Sequence, residues 1–196
     1  LFDSISQREP KSNAMTFRHL IIVLSALVLS AHCATADDLS QEVKAATLVS
    51  LYGKAPDFTC RTTDGREFQL SAMRGKVVLL YFFASSVPFS LTEMRYIEKE
   101  VFEKLRQRDD FAILGVARGH TREETVVMGG QNKLTFPLAA DPKQELYGRY
   151  FTKFVPRTVV VRKNGTIAYL ASGSKEYESI VQLQTVLARE LAATVP

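Results

Sequence analysis

Residues 82–94 read FFASSVPFSLTEM. A strand-forming apolar run, KVVLLYFF, leads into the short loop Ser85-Ser86-Val87-Pro88-Phe89-Ser90 and then into an amphipathic helix. Proteins that do thiol chemistry often hold a reactive cysteine at such a junction, because the dipole and free N–H groups of a helix N-terminus favour the thiolate. This loop has no cysteine. Its serine hydroxyls stay protonated near neutral pH and need a general base before they attack anything. Reactive side chains elsewhere are few: two cysteines, Cys33 and Cys60, and three histidines, His19, His32 and His120.

The 196 residues suffice for one well-packed domain, and the 46% apolar and 23% charged composition is that of a globular chain. The formal charge of +4 is scattered, with no long basic run, so nucleic acid is not an expected partner. From Met15 the chain reads MTFRH, LIIVLSALVLSA and HCATA. A basic patch, an apolar stretch and a small-residue triplet describe a secretory signal peptide over 15–36, cleaved after Ala36. Residues 1–14 then form an upstream leader, and 37–52 a lead-in to a domain over 53–196. The apolar stretch falls short of the roughly 20 residues that cross a bilayer, so no transmembrane span is expected in the mature chain. Lipid attachment at Cys33 is the competing reading, disfavoured by His32 at the position before it. The expected localisation is export, periplasmic or secreted.

Cleavage would leave Cys60 and His120 as the remaining cysteine and histidine. An internal disulfide is then excluded, as is a zinc site built from histidine and cysteine, so no metal or cofactor is expected.

The elements that position the loop follow from pattern. FTCRTTDGREFQL (58–70) is a hairpin turning at Asp64-Gly65. KVVLLYFF (76–83), without polar alternation, is a strand covered on both faces. Leu91, Met94, Ile97, Val101, Phe102 and Leu105 recur at helical spacing over 90–108. FAILGVA (111–117) is a second buried strand and completes a βαβ unit. TREETVVMGG predicts a capped helix stopping at Gly129-Gly130, Phe136–Ala139 a strand, and DPKQELYGRYF a short helix. PRTVVVRKNGTIAYLA (156–171) is a hairpin turning at Asn164-Gly165, and Lys175–Thr194 an amphipathic helix. The order describes one α/β domain with a mixed central sheet, flanking helices and an N-terminal hairpin extension.

Four stretches, 53–85, VPFSLTEM (87–94), FAILGVA (111–117) and FVPRTVVVRKNGTIAYLASG (154–173), carry a likeness in consistent order. On them the chain resembles the thioredoxin-like superfamily, nearest the TlpA-like oxidoreductases and the redoxin/peroxiredoxin (AhpC/TSA) group. The family motif is Trp-Cys-x-x-Cys with an internal proline and a later glutamate. Laid on this chain, Ser86 stands for the tryptophan, Val87 for the attacking cysteine and Ser90 for the resolving one, while Pro88 and Glu93 match. A peroxiredoxin-style alignment puts the peroxidatic cysteine at Ser90 instead. The resemblance implies a thiol–disulfide oxidoreductase fold whose exchange residues are absent. It also implies that Pro156 follows a cis peptide bond and faces the loop. The backbone of Val155 is then open to pair with an extended peptide, which needs no thiol.

SLTE reads as a capping box with Ser90 at the N-cap and Glu93 at N3. The competing reading makes Ser90 a catalytic serine with His120, which follows the neighbouring strand. Cys60 is either a small buried residue or the partner in an intermolecular disulfide. Asp57 reads as a turn residue. Three functions follow as expectations: a redox-silent module binding an extended peptide or partner protein through Val87–Ser90 and Val155–Pro156, residual thiol chemistry through Cys60 or a partner's thiol, or an accessory structural subunit.

Overall fold

A computed structural model of the chain describes residues 41–173 and 176–194. The expected leader, signal peptide, cleavage point and Cys33 lie outside the described residues, as do residues 37–40 of the lead-in. Among the described residues no helix is long and apolar enough to cross a membrane.

The run at 77–83 is a strand because every residue in it is apolar or aromatic and has sheet or helix on both sides. β3 (Val77–Phe83) is buried at all seven positions. It pairs in parallel with β4 (Phe111–Arg118) and antiparallel with β6 (Arg157–Val161). β5 (Leu138–Asp141) extends the sheet beyond β4 and β7 (Ile167–Ser172) beyond β6, giving the order β5-β4-β3-β6-β7. The hairpin β1 (Thr59–Arg61) and β2 (Glu67–Gln69) forms a separate two-stranded sheet, joined to β5 by a bridge between Thr62 and Ala139. Its Gly65 adopts the φ of +89° that the tight turn requires. Asp57 sits just ahead of the hairpin, where its carboxylate accepts the Ser71 N–H at 2.8 Å; hydrogen bonding from Ser71, the hydroxyl first and then the N–H, holds its pKa below the ordinary value.

Alternation along β3 sorts the core into two clusters. Val77, Leu79, Tyr81 and Phe83 pack with Met94, Ile97 and Val101, and with Ile180, Leu183 and Leu187 of the closing helix. Val78, Leu80 and Phe82 pack with Phe58, Phe68 and Leu70 of the hairpin region and with Tyr147, Tyr150 and Phe151. Three helices serve the first face: α1 (Pro88–Ile97), α2 (Arg122–Gln131) and α3 (Glu176–Ala192). The opposite face is closed by the hairpin and the β5–β6 connection, in which the short helix expected at DPKQELYGRYF shrinks to a single 3-10 turn, Tyr147–Arg149.

Two helix ends differ from the pattern. The first helix starts at Pro88, with Val87 as N-cap and no side-chain cap. Proline is preformed for the first helical position, so it moves the start two residues upstream of Ser90. Ser90 therefore lies inside the first turn and Glu93 beyond it, and the expected capping box at Ser90 and Glu93 is not formed. After Ile97 the helix runs through a π turn, Glu98–Phe102, and ends with Glu103–Leu105. A true capping box begins α2: Thr121 Oγ1 accepts from the Glu124 N–H at 3.2 Å, and the Glu124 carboxylate accepts from the Thr121 N–H at 2.8 Å. That helix passes through Gly129-Gly130 and ends at Gln131. Gly129 is there for contact rather than termination, because a Cβ on it would lie 2.8 Å from Leu138 Cδ1.

Two substitutions separate the real cap from the apparent one. Thr121→Ala should lower unfolding free energy by about 1 kcal/mol in a urea titration. Ser90→Ala should leave it unchanged or raise it, since the Ser90 hydroxyl is buried without a hydrogen-bond partner. A loss at Ser90 as large as that at Thr121 would restore the cap reading.

Candidate functional site

The site lies at one end of the sheet, where β3 and β4 finish and β6 begins. The two-sided pairing of β3 sets this: Phe83 lies opposite Ala117 on β4, and Phe82 opposite Arg157 on β6. Loop 84–87, residues 119–121 and Val155–Pro156 thus emerge at the same edge. That is the crevice outside the strand ends where ligands bind in open α/β sheets.

The Val155–Pro156 peptide bond is cis. Pro156 is buried and its carbonyl accepts the Gly173 N–H at 3.0 Å. Gly173 admits no side chain: a Cβ there would lie 2.4 Å from Pro156 Cγ, 2.8 Å from Glu93 Oε2 and 3.1 Å from Phe89 Cε1. These contacts lock the first turn of α1, the buried glutamate and Pro156 into one packed unit. Phe154, just upstream, is held at φ +70°, and the Tyr147 hydroxyl donates to its carbonyl at 2.6 Å. The sparsely populated backbone is fixed by a neighbouring side chain. The Val155 N–H and C=O make no hydrogen bond among the described residues. An unpaired peptide unit at a sheet end can accept an added strand.

Under the loop, the Tyr81 hydroxyl lies 2.9 Å from the Ser90 carbonyl and 3.1 Å from Glu93 Oε2, and donates to this pair of acceptors. Burial, followed by the nearby Glu93 charge, pushes the Tyr81 pKa well above its ordinary value, so the phenol remains a donor. Glu93 is buried near Phe89 and Pro156, in place of the N3 capping role expected for it. The Ser90 side chain is fully covered, and its Oγ has no hydrogen-bond partner among the described residues. His120 does not meet it. The expected alternative of a Ser90–His120 catalytic pair is overturned: Nε2 of His120 lies 2.7 Å from Ser85 Oγ, on the other side of Val87 in sequence.

Of the residues expected at the site, Phe89, Glu93 and Pro156 converge on Gly173, with Val155 beside Pro156 and Ser86, Val87, Pro88 and Ser90 in the adjoining loop and first turn. Ser86 and Pro88 are exposed, and Val87, Phe89 and Val155 half-buried. Val87, at the N-cap, occupies the helix end where a thiolate would be stabilised, with a side chain that cannot ionise. Sequence reading missed two participants. Gly173 gives no signal until Phe89 and Pro156 are known to converge on it. Ser85 was visible as a hydroxyl, but its pairing with a histidine 35 positions away needs the β3–β4 register.

Cys60 is not part of this unit. It lies on β1, opposite Phe68, half-buried, with its thiol free. Burial, and then the Asp141 charge, push the thiol up to about 11.

A sheet of this order with a cis proline facing a helix N-terminus defines a thioredoxin-like protein. The chain belongs to the AhpC/TSA family, whose sequence model matches residues 52–170. It is 29% identical over 136 residues to the thiol-disulfide oxidoreductase ResA of Geobacillus thermodenitrificans, covering 69% of this chain and 77% of that one. A solution structure from Bacteroides thetaiotaomicron, described as a protein disulfide isomerase, superposes with a TM-score of 0.67 at 32% identity, over 73% of this chain and 93% of that one. A secreted disulfide oxidoreductase of Mycobacterium tuberculosis shares the fold, with a TM-score of 0.58 at 21% identity, over 67% and 95% of the two chains.

The shifted thiol gives a direct measurement. At pH 8 the native Cys60 should alkylate with iodoacetamide about a hundredfold more slowly than the unfolded chain, the ratio of thiolate populations for values of about 11 and 9.0. Peptide mass spectrometry reads this separately from Cys33, and equal rates would contradict the burial described.

Proposed function

We propose that this chain is an exported thioredoxin-like protein that has lost disulfide exchange and binds an extended peptide or partner protein through Val87–Ser90 and Val155–Pro156. Exchange needs sulfur in both the attacking and the resolving positions, and Val87 and Ser90 supply neither. Cys60 is a poor substitute. With its thiol at about 11, about one molecule in ten thousand carries a thiolate at pH 7, and it lies on the separate hairpin sheet. Export rests on the signal-peptide pattern at 15–36 and fits the secreted Mycobacterium tuberculosis neighbour.

One observation carries the binding reading: the Val155 peptide unit, unpaired among the described residues, adjoins Pro156, which converges with Phe89 of the half-buried apolar loop on Gly173. Backbone pairing at Val155 supplies affinity without regard to sequence. The apolar loop favours hydrophobic side chains in the bound segment.

The reading has two tests. Wild-type protein should not accelerate insulin reduction by dithiothreitol, whereas Val87→Cys combined with Ser90→Cys should do so. The N-cap and the third helical residue are three apart, the Cys-x-x-Cys spacing at which a helix N-terminus carries a redox disulfide. Wild-type turnover that vanishes in Cys60→Ser would overturn the redox-silent assignment. For binding, a fluorescent library of extended apolar peptides should bind wild type and lose at least about tenfold in affinity to Phe89→Asp, both measured well below the melting temperature of the variant. Equal binding by the two proteins would remove the loop from the binding face.

A further inference from the structure

The loop after β3 also holds an arrangement for which peptide binding has no use. Ser85 Oγ lies 2.7 Å from His120 Nε2, and the Ser85 N–H points at the same nitrogen from 3.1 Å. On the far side of the ring, Nδ1 is 3.0 Å from the Arg118 carbonyl oxygen. A carbonyl only accepts, so this network assigns the proton to Nδ1 and makes Nε2 the acceptor, its lone pair shared between the Ser85 hydroxyl at 2.7 Å and the Ser85 N–H at 3.1 Å. The order is nucleophile, base and orienting acceptor, with a backbone carbonyl as the orienter.

The surroundings suit an acyl substrate. Ser85 is exposed and His120 half-buried. An open groove of about 500 Å³ runs from the pair along α1 and α2, with Leu91, Val127 and Met128 as an apolar wall and Glu123 and Glu124 on its rim. The N–H of Ser86, the residue after the nucleophile, makes no hydrogen bond among the described residues. It is a free donor in the position from which an oxyanion is commonly stabilised.

We propose that Ser85 and His120 form a nucleophilic dyad that hydrolyses short, uncharged acyl esters. Ser85 Oγ bonds to the ester carbonyl carbon while its proton passes to His120 Nε2. The carbonyl electron pair moves onto the oxygen facing the Ser86 N–H. Collapse breaks the bond to the alkoxy oxygen, which takes the proton from Nε2 and leaves as the alcohol. Water then attacks the acyl-serine, giving its proton to Nε2, and collapse releases the carboxylic acid and returns the proton to Ser85 Oγ. Ester and water become acid and alcohol, with no change of oxidation state. The apolar wall takes the acyl chain, and the two rim carboxylates repel anionic esters.

The full chain is tested with an alkyl fluorophosphonate and with 4-nitrophenyl acetate and butyrate. Ser85 should carry the phosphonyl adduct, and Ser85→Ala should lose both adduct and hydrolysis. His120→Gln, shown to be folded by circular dichroism, should slow both by about a hundredfold or more. Val127→Asp, at an exposed position, should lower the butyrate-to-acetate rate ratio several-fold while retaining the adduct. No adduct at Ser85 above that on heat-unfolded chain overturns the proposal, as does undiminished reaction in folded His120→Gln. If His120→Gln does not fold, an unchanged rate ratio in Val127→Asp overturns it.

Discussion

β3 is hydrogen-bonded on both sides and covered on both faces, and every feature of the site is referred to it. Its parallel partner ends at Arg118 and its antiparallel partner begins at Arg157, so one register fixes three chain segments at a common edge. A one-residue slip would exchange the two core faces, placing Tyr81 and Phe83 against the hairpin and Phe82 against α1. The same slip would take the Tyr81 hydroxyl away from the Ser90 carbonyl and Glu93. Core packing and loop placement are therefore one constraint. The loop geometry is stabilised by the sheet and does not depend on which reactive side chains the loop carries.

That separation explains how Val87 and Ser90 are accommodated. Neither makes a hydrogen bond through its side chain that the fold depends on. Valine at an N-cap forgoes the usual cap, and the buried Ser90 hydroxyl forgoes a partner, each a small cost beside the burial of β3. The surroundings are less permissive. Gly173, Pro156, Phe89 and Glu93 meet at distances that admit no extra carbon atom at residue 173. The thioredoxin-like frame thus holds the first turn of α1 tightly against Pro156, whichever side chains stand at 87 and 90.

Much of this was legible from sequence, for reasons that differ by element. The unbroken apolar run of β3, the Asp-Gly and Asn-Gly turns and the helical spacing of Leu91, Met94 and Ile97 in α1 are local signals that no tertiary contact overrides. Both SLTE and TREE carry the capping pattern, yet only TREE caps. Pro88 starts the first helix early, and Ser90 is then turned inward, a competition visible only when proline's position is weighed against serine's. Gly129 read as a stop because sequence does not reveal Leu138 pressing on its Cα. DPKQELYGRYF has helical composition but is spent on one 3-10 turn. There Tyr147, Tyr150 and Phe151 are drawn onto Phe82 with ring centroids 5.3–5.9 Å from it.

The same aromatic patch accounts for a charge at the site's edge. Arg157, immediately after Pro156, is 2% exposed and forms no ion pair among the described residues. Its guanidinium lies 4.1 Å over the Phe151 ring and donates to Thr47 Oγ1, and burial lowers its pKa from the ordinary arginine value. Arg118, at the end of β4, stacks likewise over Tyr147 at 4.6 Å. Two cations thus flank Phe82 on one face of the sheet, held by ring faces rather than carboxylates. A carboxylate there would gain from the charge but would have to be buried with it, whereas ring faces offset part of the charge with atoms the core already requires, leaving Arg157 Nε and Nη1 and Arg118 Nε without hydrogen-bond partners among the described residues. The two arginines fix the ends of β4 and β6 at the place from which His120 and Val155 depart. In this way the polar edge of the site is positioned by the apolar core beneath it.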